Sequence, residues 1–149
     1  VECIQQLRDM DLVMSRSFPS MPSMSTEKDT PFKTKEEYET ELEMCTGPKA
    51  RCLRFVAYDK RSMQPLSTGG VNLFPKLGLA FMWAGCTVPE SRGRGIYSAL
   101  VTERMHHAQS RGIQHLGLYA MRDTSGPIVA AQGFKKHGPI YFFERKIQS

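Results

Sequence analysis

Apolar positions along this chain change period several times, and the changes divide it into elements. From Val1 to Ser17 they recur at helical spacing, at Ile4, Leu7, Met10 and Met14. Two readings fit: one helix throughout, or a short strand over Val1 to Leu7 followed by a helix capped at Asp9 or Asp11. Phe18 to Pro31 has no period and is rich in Pro, Ser and Thr, which predicts a long loop serving as a lid, a binding segment or a connector. Thr34-Lys-Glu-Glu37 is a capping box. Tyr38, Leu42 and Cys45 then share one face, and Gly47-Pro48 stops a helix over Lys35 to Thr46.

The pattern next shortens to strand length. Cys52 to Tyr58 and Thr68 to Phe74 read as an antiparallel hairpin around a polar turn, Asp59 to Leu66. Gly69-Gly70 marks a bulge or a twist. After a turn at Pro75 to Gly78, Leu79 to Val88 is a strand with apolar side chains on both faces, so helices are expected on both faces of its sheet. Ile96, Leu100, Val101, Met105 and Ala108 form a stripe on a helix ending at Arg111-Gly112. His115 to Met121 is a strand, and strand, helix, strand predicts a right-handed parallel crossover. Thr124 or Ser125 caps a short helix, Ile128 to Gln132, stopped by Gly133. Phe134 to His137 and Ile140 to Lys146 read as strands about Gly138-Pro139. These elements make an α+β protein with a mixed, mostly antiparallel sheet of six to seven strands.

Composition narrows the classes. At 149 residues, with 40% hydrophobic and 23% charged residues, one globular domain over 1–149 is expected. The first residue is Val, so excision from a longer chain is one expectation. No apolar run approaches the roughly 20 residues of a membrane span, and no signal peptide is evident, so a cytoplasmic protein is expected. The net charge of +5 is either a solvated basic surface or a field that steers an anionic ligand. Basic runs interleaved with aromatics are missing, which argues against nucleic acid. Cys3, Cys45, Cys52 and Cys86 show no paired spacing and read as reduced thiols. Adjacent His106 and His107 diverge on a helix, so no metal is expected.

The chemistry concentrates between Thr87 and Leu100. An apolar strand runs into Arg92-Gly-Arg-Gly95, and a helix leaves from Ile96. The first N–H groups of a helix lack internal partners and, with the helix dipole, favour an anion by about 0.3–1 kcal/mol. Glycines let the backbone approach closely, and arginines add charge-assisted hydrogen bonds. A dinucleotide fold is disfavoured: Ser98 stands at the third glycine position, Asp123 lies too far on, and too little chain follows for more β-α units. No Gly-Lys-Ser/Thr exists for a Walker loop.

The element order, Val88-Pro89-x-x-Arg92-Gly-Arg-Gly95-Ile96 and the later Gly133-Phe134 resemble the GCN5-related N-acetyltransferase (GNAT) superfamily. The resemblance implies α/β/α layers around a twisted sheet and acetyl-CoA, or another acyl-CoA, as co-substrate. Its pyrophosphate would lie on Arg92, Gly93, Arg94, Gly95, Ile96 and Tyr97, and its pantetheine arm along Cys86, Thr87 and Val88. That strand would splay there from His115 to Met121. It implies direct transfer of the acyl group to a small-molecule or peptide amine by a monomer or homodimer. Tyr97 stands where the family motif has glycine or alanine. Val129 stands where many members carry the tyrosine that protonates the leaving thiolate.

Acyl transfer needs a neutral amine, a donor for the thioester oxygen and a proton for the leaving sulfur. Tyr119, Ser125 and Tyr97 are the candidate acids. Glu90, Asp123 and His137 are candidate bases, and Cys86 a candidate nucleophile. A backbone N–H of Cys86 to Val88 is the expected oxyanion donor. The alternative is an acyl-CoA-binding module of the same fold without turnover.

Overall fold

The computed structural model describes residues 1–19 and 32–141. It forms two compact units, Val1–Tyr119 and Ala120–Ser149. In the first, α1 (Ile4–Ser17) and α2 (Lys35–Cys45) precede β1 (Cys52–Tyr58), β2 (Pro65–Phe74) and β3 (Leu79–Thr87). Then come α3 (Ile96–Ser110) and β4 (His115–Leu118). The sheet order is β1-β2-β3-β4, antiparallel except for the parallel pair β3–β4.

The first of the two N-terminal readings holds. Helix α1 starts at Ile4, and Asp9 and Asp11 are not caps. Their carboxylates accept tertiary hydrogen bonds instead, Asp9 from the Tyr58 hydroxyl at 2.6 Å and Asp11 from the Tyr38 hydroxyl at 2.8 Å. The capping box forms as its spacing predicts: Glu37 N–H donates to Thr34 Oγ1 and Thr34 N–H to Glu37 Oε2.

Successive residues of a strand face opposite ways, and β1 shows what covers each face. Val56 packs into the cluster of Leu7, Met10 and Tyr38 on α1 and α2. Its neighbour Phe55 meets His107 of α3 edge-on, ring centroids 5.6 Å apart. Helices therefore cover both faces, as the two-sided apolar pattern of Leu79 to Val88 implies.

Among the described residues the sheet has four strands rather than six or seven. Residues 134–141 carry no regular structure. The predicted strand Phe134 to His137 is absent because the Phe134 amide closes the end of α4 (Ser125–Ala131), donating to Val129 O at 3.1 Å, with Gly133 at φ +88°. The predicted strand Ile140 to Lys146 lies mostly outside the described residues, as does most of the Phe18 to Pro31 loop.

Candidate functional site

Gly69-Gly70 faces a bulge on the neighbouring strand. Thr68 pairs with Cys86 and Gly70 with Trp83, so Ala84 and Gly85 together oppose Gly69. Ala84 sits at φ +48°, a conformation that costs an L-residue about 1–2 kcal/mol. Among the described residues β3 has no strand partner on its far edge beyond the bulge: the ladder with β4 runs from Leu79–His115 to Met82–Leu118. Strand β4 ends at Leu118, short of the expected Met121, so Gly85 to Val88 lie past the end of the ladder.

Hydrogen bonds settle which groups face that open edge. Val88 N–H donates to Leu66 O at 2.9 Å, toward β2. Alternation along the strand turns the N–H and C=O of Thr87 the other way. Within Cys86 to Val88, the Val88 amide is taken by Leu66 and the Thr87 N–H is the one turned away from β2. Cys86 is buried, and burial raises its thiol pKa; the Ser17 hydroxyl and the charges of Arg92 and Arg104 oppose this only in part. A buried neutral thiol is a poor nucleophile.

Thr87 leads into a turn at Pro89–Ser91 and then to Arg92. Gly93 and Gly95 have φ of +72° and +76°, and a Cβ on either would meet nothing within 4 Å. Their glycines answer to backbone conformation, and the surface above them is open. Gly95 caps α3, whose ladder begins with Ala99 N–H to Gly95 O at 3.0 Å. The amides of Ile96 and Tyr97 precede that first bond and have no acceptor within the helix. Arg94 is exposed, and its charge lowers the pKa of Asp59 after the larger effect of the Ser62 and Arg61 amides. Arg92 turns back: Nε donates to Thr87 O at 3.1 Å and Nη2 reaches Ser17 O at 3.5 Å.

The remaining candidates separate. Glu90 forms an exposed ion pair with Arg16 at the end of α1. Tyr119 is 69% exposed and packs edge-on against Phe81, centroids 4.7 Å apart. In the second unit, Ser125 Oγ accepts from Met121 N–H at 2.9 Å, tying the turn before α4, and Val129 is buried. Asp123 and His137 are exposed. Among the described residues no group of three or more His, Cys, Asp or Glu side chains is placed to hold a metal.

Tyr97 and Arg104 define the inner wall. Arg104, 1% exposed, lies under α3 with Nε on Leu100 O (3.1 Å) and Nη1 on Gly70 O (3.3 Å). A Cβ on Gly69 would fall 2.6 Å from Nη1 and one on Gly85 2.8 Å from the Tyr97 ring. These glycines make room for a buried cation and a phenol. The sequence reading passed over Arg104. Its signal was an arginine in the middle of an apolar row, Leu100, Arg104 and Ala108, four residues apart.

No family model and no curated protein matches the sequence. Solved structures match in fold. Glucosamine-6-phosphate N-acetyltransferase from Arabidopsis thaliana superposes with a TM-score of 0.68 at 14% identity, over 96% of this chain and 93% of that one. The aminoglycoside 6'-N-acetyltransferase AAC(6')-Ih from Acinetobacter baumannii gives 0.65 at 19% identity, over 98% and 95%. The chain shares its fold with these acetyltransferases. AAC(6')-Iy, in complex with the bisubstrate analogue CoA-S-monomethyl-acetylneamine, matches at 0.66 and 12% identity over 96% and 93%.

Proposed function

We propose that the chain is a single GNAT-like domain that binds acetyl-CoA and transfers its acetyl group directly to a primary amine. The observation that carries this reading is the β3 edge left unpaired where the ladder with β4 ends at Met82–Leu118, among the described residues, beside a glycine turn at the start of α3. The open space over Gly93 and Gly95 fits a pyrophosphate on the amides of Ile96 and Tyr97. Arg94 is the side chain positioned to meet its charge; Arg92 instead holds the strand end to the turn. Acetyl-CoA supplies an activated acyl group as a thioester.

The residues of the chain then do three things. Thr87 N–H donates to the thioester oxygen as it gains charge. The edge from Gly85 to Thr87 aligns the donor as an added strand would, by backbone pairing. Phe81 and Trp83, on the α1–α2 face of β3, line the approach for the acceptor. Trp83 is held by Asn72 at 3.0 Å and by Arg54 stacked 4.0 Å from its ring. A small-molecule or peptide amine is the acceptor class, and it reacts as the neutral amine. Glu90, paired with Arg16, is not assigned as its base.

A second reading, an acyl-CoA-binding module without turnover, rests on Val129 at the position of the family's usual acid. A thermal-shift series with acetyl-CoA, longer acyl-CoAs, NAD and ATP tests the donor assignment. Stabilisation by acyl-CoAs alone supports it, and stabilisation by NAD alone overturns it. Release of CoA with an amine panel separates enzyme from module.

A further inference from the structure

Arg104 is a buried cation that faces no carboxylate among the described residues. Two of its three nitrogens donate to carbonyls. The third, Nη2, is fully buried and closes no hydrogen bond among the described residues, yet it faces the Tyr97 phenol. Nη2 and the Tyr97 hydroxyl each lie 3.3 Å from the point that a Cβ on Gly85 would occupy. Both groups thus converge on the bulge residue at which the edge of β3 opens. Burial lowers the Arg104 pKa, and the phenol works against that fall. The other titratable group beside Arg104 is Cys86, whose thiol burial keeps protonated.

The guanidinium faces the phenol over Gly85 and fixes where its hydroxyl sits. Mere filling of space over Gly85 needs no hydroxyl and no buried charge, and an unsatisfied buried donor costs about 1–3 kcal/mol. We propose that the Tyr97 hydroxyl protonates the leaving thiolate, with Arg104 as the residue that positions it. The inference rests on the acetyl-CoA reading above.

The step balances without a further reactant. The acceptor nitrogen bonds to the thioester carbon, and the carbon–sulfur bond breaks with its electron pair passing to sulfur. The phenolic proton of Tyr97 moves to that sulfur. The proton lost from the acceptor nitrogen, carried by water, restores the phenol. Products are the amide and the free thiol.

The test uses the full chain and Tyr97→Phe, which keeps the ring on Gly85. Calorimetry first measures CoA and acetyl-CoA binding. The ionisation of the bound CoA thiol is then followed by its ultraviolet thiolate absorbance. A hydroxyl that donates to the sulfur favours the thiolate, so the thiol in Tyr97→Phe titrates about one pH unit higher than in the wild type. With acetyl-CoA and hydroxylamine as acceptor, kcat falls about 10–100-fold while the acetyl-CoA dissociation constant holds. Arg104→Lys moves both readouts the same way by less. Equal thiol titrations, or an unchanged kcat, overturn the inference and leave the donor site standing. Failure of the wild type to bind CoA overturns the donor assignment itself, and this inference with it.

Discussion

The Arg92 guanidinium reaches back over its own turn and donates from Nε to the carbonyl of Thr87, 3.1 Å away. That bond joins the open end of β3 to the start of the glycine turn, and it changes what the two arginines of Arg92-Gly-Arg-Gly95 do. Arg92 shapes the turn. Arg94 is exposed beyond it, and in the proposed reading it is the arginine that meets the anion.

The two arginines should therefore respond differently to replacement. Arg94→Ala weakens acetyl-CoA about 3–10-fold and leaves the melting temperature unchanged, with the loss shrinking at high salt. Arg92→Ala lowers the melting temperature as well as the affinity. Calorimetry and thermal unfolding read both, and equal effects on stability would contradict the division of roles.

The glycines of the site should sort by cause. Gly93→Ala and Gly95→Ala strain the backbone at positive φ by about 1–2 kcal/mol but meet no neighbour. Gly70→Ala places a Cβ 2.4 Å from Trp83 ring atoms, which Asn72 and Arg54 hold in place. Urea unfolding should show a loss of about 1–3 kcal/mol from overpacking. Trp83 fluorescence should report its displacement only in Gly70→Ala.

The bulge should tolerate glycine and reject branching. Ala84→Gly relieves φ +48° and leaves the unfolding free energy the same or higher, whereas Ala84→Val lowers it by more than about 1 kcal/mol. Denaturant midpoints of the two variants check this.

Alkaline pH should loosen the packing of α1 on α2. Burial, then the hydrogen bond to Asp11, raises the Tyr38 phenol above its ordinary 10.0. Burial works against the charge of Lys33, but hydrogen bonds and the charges of Glu41 and Asp11 outweigh it and raise Lys33 above 10.5. Each group holds its proton more tightly when folded. Their contribution is thus complete below about pH 10 and is lost as the pH climbs through the folded values. Unfolding free energy should fall above pH 10, and less steeply in Tyr38→Phe. A slope unchanged by that substitution would contradict the assignment.

Much of this architecture was legible where one residue type has one local job. Thr34 and Glu37 form their capping box because both partners lie within one turn. The two-sided apolar run Leu79 to Val88 became a strand covered on both faces, and Gly93 and Gly95 took the left-handed backbone that a tight turn requires. What stayed hidden depends on contacts distant in sequence. Asp9 and Asp11 read as caps but serve Tyr58 and Tyr38, 49 and 27 residues away. Glu90 read as a base, yet its partner Arg16 lies 74 residues earlier. Gly69, Gly70 and Gly85 have reasons that only Arg104, Trp83 and Tyr97 supply. Tyr97 stands in place of the motif's glycine or alanine, and only the tertiary structure shows that its ring turns inward over Gly85.

The central claim is that the open edge of β3 and the turn at the start of α3 hold one acyl-CoA. Amide hydrogen exchange with and without acetyl-CoA tests it directly. The account predicts slowed exchange at Gly85 to Thr87 and at Gly93 to Tyr97, with the ladder of β1 and β2 unchanged. Exchange unaltered in both segments at saturating acetyl-CoA would contradict it.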